Sequence, residues 1–98
     1  MIAVMFAIAF DMTVADMVRH HPKGVPQAYR DIAKALDPFG FERIQGSVYL
    51  TRNEDLGNLV SAVMSLGRLP WLPACVRDIR GFKVENWSDF KPVMRGQQ

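Results

Sequence analysis

The chain has 98 residues, 49% of them apolar and 22% charged, which fits one domain over residues 1–98 with a modest core that often gains stability by pairing. The net charge is +2, from twelve basic residues of which eight are Arg. So mild an excess permits nucleic-acid binding without arguing for it, and a basic site has to come from clustering. Cys75 is the only cysteine, which excludes an internal disulfide and a CxxC metal site and reads as a cytoplasmic protein.

Residues 1–10 are apolar enough to suggest a signal peptide. They lack a basic leading region, however, and Asp11 and Asp16 stand where a small-residue cleavage site belongs. Ten residues are also too few to cross a bilayer, so the run is read as structure and no membrane partner is expected. Residues 3–11 form the first strand. Val4, Phe6, Ile8 and Phe10 share one face, and Ala3, Met5, Ala7, Ala9 and then Asp11 share the other. Both faces are apolar, so both should be covered, as in a central strand.

Residues 12–24 read as a connection. Pro26 suits the first turn of a helix, and Tyr29, Ile32, Ala33 and Leu36 follow as an amphipathic stripe that Pro38 and Gly40 stop. Two short strands, 41–45 and 47–51, hinge at Gly46. Asn53 is the predicted N-cap of a second helix, with Glu54 and Asp55 in its first turn and Leu56, Leu59, Val60, Val63 and Met64 as its stripe, ending at Gly67. "LPWLPAC" is a proline-bounded elbow. Residues 76–85 form the last long strand, with a bulge expected at Gly81 because Val76, Phe82 and Val84 share a parity that Ile79 breaks. In the extension 85–98, Trp87 and Phe90 call for burial, and a final short strand docked on a partner subunit would provide it.

The order β-α-β-β-α-β is the ferredoxin-like split βαβ pattern, an α+β fold with a four-stranded antiparallel sheet and both helices on one face. The second face of the central first strand would then be bare in a monomer, and a second copy stacked on it is the simplest cover.

Three segments, "FAIAFDM", "GFERIQGSVYL" and "VRDIRGFKVENWSDF", together closely resemble the virulence-associated protein D (VapD) family over about residues 3–90. The first two also resemble the small ferredoxin-fold endonuclease family of CRISPR adaptation. The resemblance implies a homodimer with its sheets face to face, and endoribonuclease activity as the toxin of a toxin–antitoxin pair, with a small antitoxin protein as a further partner. In the CRISPR relatives the Asp ending the first strand is the proposed metal ligand, and Asp11 takes that place. The Arg and the aromatic residue of the second motif map onto Arg43 and Tyr49. The His pair at 20–21 belongs to neither motif.

Each of these residues has a functional and a bland reading. A carboxylate on a mostly apolar face costs several kcal/mol if buried unpaired, so Asp11 should sit at the open strand end. There, with its symmetry mate, it can hold one Mg²⁺, or it can act as the base toward an RNA 2′-hydroxyl without metal. The bland reading is a cap on the following turn. Arg43 and Arg80 are the candidate phosphate contacts, with Gln45 beside them; Arg52 and Arg77 read as edge-strand charge, and Asp78 as a partner for Arg80. Ser47 and Tyr49 share a face and are candidates to shape the catalytic site, Gln45 joining them unless a bulge intervenes; packing is the alternative for Tyr49. His20-His21 read as a solvated loop rather than a metal site or an acid/base pair. Trp71, Trp87 and Phe90 read as packing, and Cys75 as a small buried hydrophobe.

The leading expectation is a VapD-like endoribonuclease acting on single-stranded RNA. The alternative is a non-catalytic dimeric scaffold that binds nucleic acid or protein, and a weaker third is a regulatory domain for a small ligand.

Overall fold

The computed structural model describes residues 5–86 and 88–96, so Ala3, Val4 and Trp87 lie outside the described residues. The chain runs β1 (Met5–Met12), α1 (Val14–His20), α2 (Val25–Leu36), a short 3-10 turn, β2 (Glu42–Gln45), β3 (Val48–Thr51), α3 (Leu56–Gly67), α4 (Leu72–Cys75), β4 (Val76–Val84) and α5 (Lys91–Met94). The sheet order is β2-β3-β1-β4, antiparallel at every junction, the ferredoxin-like arrangement with β1 in the centre.

Phe6, Ile8 and Phe10 on β1 meet Ile32 and Leu36 of α2 and Leu59, Ala62 and Leu66 of α3 in one core, so the helices lie on that face. Gly81 of β4 sits opposite Ile8, and a Cβ there would come 3.2 Å from a methyl carbon of Leu59; glycine lets α3 approach the sheet. The other face carries Ala7, Ala9 and Asp11 of β1, Val48 and Leu50 of β3, and Asp78, Arg80, Phe82 and Val84 of β4. No helix packs across it among the described residues, and Phe82 is 44% exposed.

Several expectations are corrected. The connection 12–24 contains a helix, α1, whose N-cap Thr13 accepts a hydrogen bond from the Asp16 amide at 3.1 Å. Asp55, not Asn53, caps α3 by accepting from the Gly57 amide at 2.9 Å, while Asn53 accepts from the Asp55 amide one step earlier. The irregularity in β4 is not at Gly81. It lies where Asp11 pairs with Asp78 and Met12 already pairs with Val76, leaving Arg77 as the extra residue. That slip puts Val76 on the face of Ile79, while Phe82 and Val84 take the other face. The extension forms no strand among its described residues: 91–94 make one helical turn, with Pro92 near its start.

The chain leaves β4 at one edge of the sheet, yet Ser88–Lys91 share a cavity of about 450 Å³ with Ile44 and Gln45 of β2 at the other edge. No helix is long and apolar enough to cross a membrane among the described residues.

Candidate active site

The candidate residues divide between the two faces of the sheet. On the open face, register places Asp11 directly opposite Asp78, with Arg80 next along β4 opposite Ala9. Arg80 Nε donates to Asp78 Oδ2 at 3.0 Å, and both side chains are largely exposed, so the pair contributes little to stability and stays available to a ligand. Asp11 is exposed and makes no hydrogen bond or ion pair among the described residues. The capping role left open for it belongs to Thr13. Gln45 also belongs to this face. The β2–β3 register slips between Arg43 and Gln45, so Gln45 pairs with Val48 and leaves the face of Ser47 and Tyr49.

On the helix face, Arg43 pairs with Tyr49 across the β2–β3 hairpin. Its guanidinium lies 4.7 Å from the Tyr29 ring centroid, a cation–π contact, and its Nε donates to the Gly46 carbonyl at 2.6 Å. Gly46 has φ +42°, a backbone conformation that favours glycine at the hairpin tip. The Ser47 and Tyr29 hydroxyls approach to 3.5 Å. Tyr49 stacks on Phe10 at 5.8 Å between centroids, and its buried hydroxyl has no partner. Burial pushes that hydroxyl's pKa up, against an opposing pull from Arg43. Tyr49 therefore does not present a group to solvent, and its ring packs against Phe10. The Ser47 carbonyl accepts from the Phe10 amide at 3.1 Å, a bond in the plane of the sheet.

Two groups were missed by sequence reasoning. Asp78 read as a mere partner for Arg80; its position opposite Asp11 follows from the regular β1–β4 register, which slips only beyond that pair. His21 is the other. It is buried, not solvated: Nε2 bonds Asp31 Oδ2 at 2.7 Å and Nδ1 accepts from the Lys23 amide at 3.0 Å, which assigns the neutral ring with its proton on Nε2. Gln27 donates to the other Asp31 oxygen at 2.9 Å, and the Trp71 ring meets the imidazole edge-on at 4.8 Å. The His21 hydrogen bond, with that of Gln27, holds the Asp31 carboxyl below its usual range. This cluster ties α1 to α2 and is closed to an RNA strand. His20 is exposed, as expected, but it is the last residue of α1 rather than part of a loop.

Arg52 and Arg77 are exposed. The larger concavity, about 470 Å³, lies by Leu50 and Thr51 at the sheet end away from Asp11, and Arg52 is the one basic residue lining it. Among the described residues no group of three or more His, Cys, Asp or Glu side chains is placed to hold a metal ion.

A close match to proteins of known class decides the family. The chain is 55% identical over 91 residues to the endoribonuclease VapD homolog of Neisseria gonorrhoeae, covering 93% of this chain and 99% of that protein. The chain belongs to the VapD family. Endoribonuclease VapD of Haemophilus influenzae is 52% identical over 91 residues, and that of Helicobacter pylori 36% over 93, each again over 93% of this chain and 99% of the relative. No family model matches the chain.

Proposed function

We propose that the chain is an endoribonuclease that cleaves single-stranded RNA on the open face of its sheet, as a homodimer in the cytoplasm. The observation that carries this is Asp11: an exposed carboxylate at the end of an apolar central strand, with no partner and no capping duty among the described residues, directly opposite a second carboxylate. The names of its VapD relatives support the activity, and the resemblance supports a role as the toxin of a pair whose antitoxin is a small protein.

In this reading Arg80 and Gln45, on the same face, hold phosphate oxygens. The Asp11 carboxylate takes the proton of the RNA 2′-hydroxyl. That oxygen attacks the adjoining phosphorus, the bond to the 5′-oxygen breaks, and the leaving oxygen takes a proton from water. The products are a 2′,3′-cyclic phosphate and a 5′-hydroxyl. The donor set also fits Mg²⁺ in kind, because that ion takes one or two carboxylates beside water and phosphate oxygens. Asp11 and Asp78 would hold it, and when bound it supplies charge neutralisation at the phosphate. Arg43, held against Tyr29 on the other face, meets the strand only where it passes the hairpin tip.

Pairing by the open face is supported by Phe82 on that face and by Phe90, Val93 and Met94 of the extension, all exposed in the single chain, while Ala7 and Leu50 of the same face are already buried. Stacking two such faces about a two-fold axis brings both carboxylate pairs into one cleft.

The test is incubation of the wild type and Asp11→Asn with labelled single-stranded RNA, in Mg²⁺ and in EDTA. Cleavage by the wild type alone is expected, and the EDTA lane separates metal-assisted from base chemistry. Equal cleavage by both proteins would remove Asp11 from the mechanism.

A further inference from the structure

The concavity of about 470 Å³ at the far end of the sheet takes no part in the cleavage chemistry. Its walls are tied together by one carbonyl. The Phe39 oxygen, in the turn before β2, accepts from Asn58 Nδ2 of α3 at 2.9 Å and from Thr51 Oγ1 of β3 at 3.4 Å. Thr51 Oγ1 in turn accepts from the Asn53 amide at 3.2 Å, and Asn53 Oδ1 accepts from the Asp55 amide at 2.9 Å. These bonds leave part of each carboxamide unused. Asn58 keeps its Oδ1 and one of its N–H groups, and Asn53 keeps its Nδ2 donors. Glu42 and Arg52 also line the cavity, and among the described residues neither side chain has a partner. Phe39 and Ile44 supply an aromatic and an aliphatic wall. Apolar walls around a few convergent polar groups are the make-up of a ligand site.

The cavity is continuous with the face that carries Asp11. Ala7 pairs with Leu50, and Leu50 with Glu42, all on the open face. Arg52 lies two residues beyond Leu50 and follows the same alternation. Ala7 precedes Asp11 by four residues, so the cavity begins about 13 Å further along the strand direction than the carboxylate pair.

We infer that this cavity is a second nucleotide subsite for the same RNA strand, filled by a nucleotide a few positions from the scissile bond. The inference rests on the proposed RNA-cleaving function. The base enters between Phe39 and Ile44, its edge meets Asn53, Asn58 and the Glu42 carboxylate, and Arg52 takes an adjoining phosphate. Unstacked bases of a single strand offer their edges to such groups, carboxamides match the paired donors and acceptors there, and an Arg fork suits phosphate. Glu42 selects among occupants. It repels a free phosphate or an acidic peptide, yet it accepts from the N–H groups of a base. The two ends of the open face then divide the work: the Asp11 end breaks the bond, and the Arg52 end fixes which stretch of RNA lies across it.

The test uses the full-length chain and a labelled 2′-O-methyl RNA strand, which lacks the attacking hydroxyl and reports binding alone by fluorescence anisotropy. Arg52→Ala should weaken binding severalfold and lower the slope of log affinity against log salt by about 0.7, the share of one single-strand phosphate. Asn53→Asp keeps an acceptor for the Asp55 amide but replaces the free donor with charge; it should weaken binding severalfold with the melting curve unchanged. Arg68→Ala removes an equal charge at the far end of α3 and should change neither affinity nor slope. With a dinucleotide, too short to reach the cavity from Asp11, Arg52→Ala should bind as the wild type does. If the wild type binds the long strand and both Arg52→Ala and Asn53→Asp behave as Arg68→Ala does, the subsite is overturned and the cleavage reading stands. An Arg52→Ala effect that persists with the dinucleotide overturns the placement. A wild type that binds no RNA overturns the subsite and the cleavage reading together.

Discussion

On the open face of the sheet Asp11 of β1 confronts Asp78 of β4 in solvent, and among the described residues only Asp78 of the two has a partner. On the helix face, Arg43 of β2, Tyr49 of β3, Ser47 just before it and Tyr29 of α2 are bonded, stacked or buried. The two sets lie toward the same sheet end, yet one is committed to holding the hairpin and the other is left free. The difference lies in what each gains from folding. Arg43 is bonded and Tyr49 stacked within the fold, whereas an exposed carboxylate at a strand end gains nothing there, and under the proposed function it is the group left for the RNA.

The strongest way to break this comparison is Asp11→Asn. RNA cleavage should fall by about 10²- to 10³-fold, the range for removing a general base, with melting unchanged. A large loss of stability instead would place Asp11 with the structural set.

Next in size is Asp31→Asn, which probes a group already spent on structure. Leaving His21 with a weaker acceptor should cost about 1–3 kcal/mol at neutral pH by denaturant titration. Because folding lowers the Asp31 pKa below 3.8, its stabilisation is present above that value and drains away as pH falls through the folded-state value. The wild-type and variant stability curves should therefore converge in acid.

Arg80→Ala sharpens the contrast between the two arginines. It should weaken RNA binding and reduce the slope of log affinity against log salt by about 0.7, the share of one single-strand phosphate. Arg43→Ala should change that slope less and the melting temperature more. The smallest effect is expected for Tyr49→Phe. Its hydroxyl is buried without a partner, so removing it should stabilise the chain by up to about 1 kcal/mol and leave cleavage intact.

The sheet, α2 and α3 were legible because their periodicities are long and their punctuation by Pro38, Gly40, Gly46 and Gly67 is strong. Helix α1 was not, because seven residues carry too little periodicity to stand out before His-His-Pro, and its cap Thr13 was passed over. Asp11 could be read from its contrast with the strand it ends. The division of the site between two faces could not. For Gln45 it depends on a single-residue slip beside it, which turns its side chain to the opposite face without altering the composition around it. His21 was misjudged for a related reason: its partner Asp31 is ten residues away, and nothing local marks the pair.

Cys75 carries a consequence for kinetics. Its thiol is buried, its Sγ donates to the Asp16 carbonyl of α1 at 3.4 Å, and burial raises its pKa. A thiol reagent added to the native chain can react only when α1 swings away from α4. The labelling rate thus becomes an intrinsic clock for a local opening, readable without any engineered probe and comparable with the rate of global unfolding.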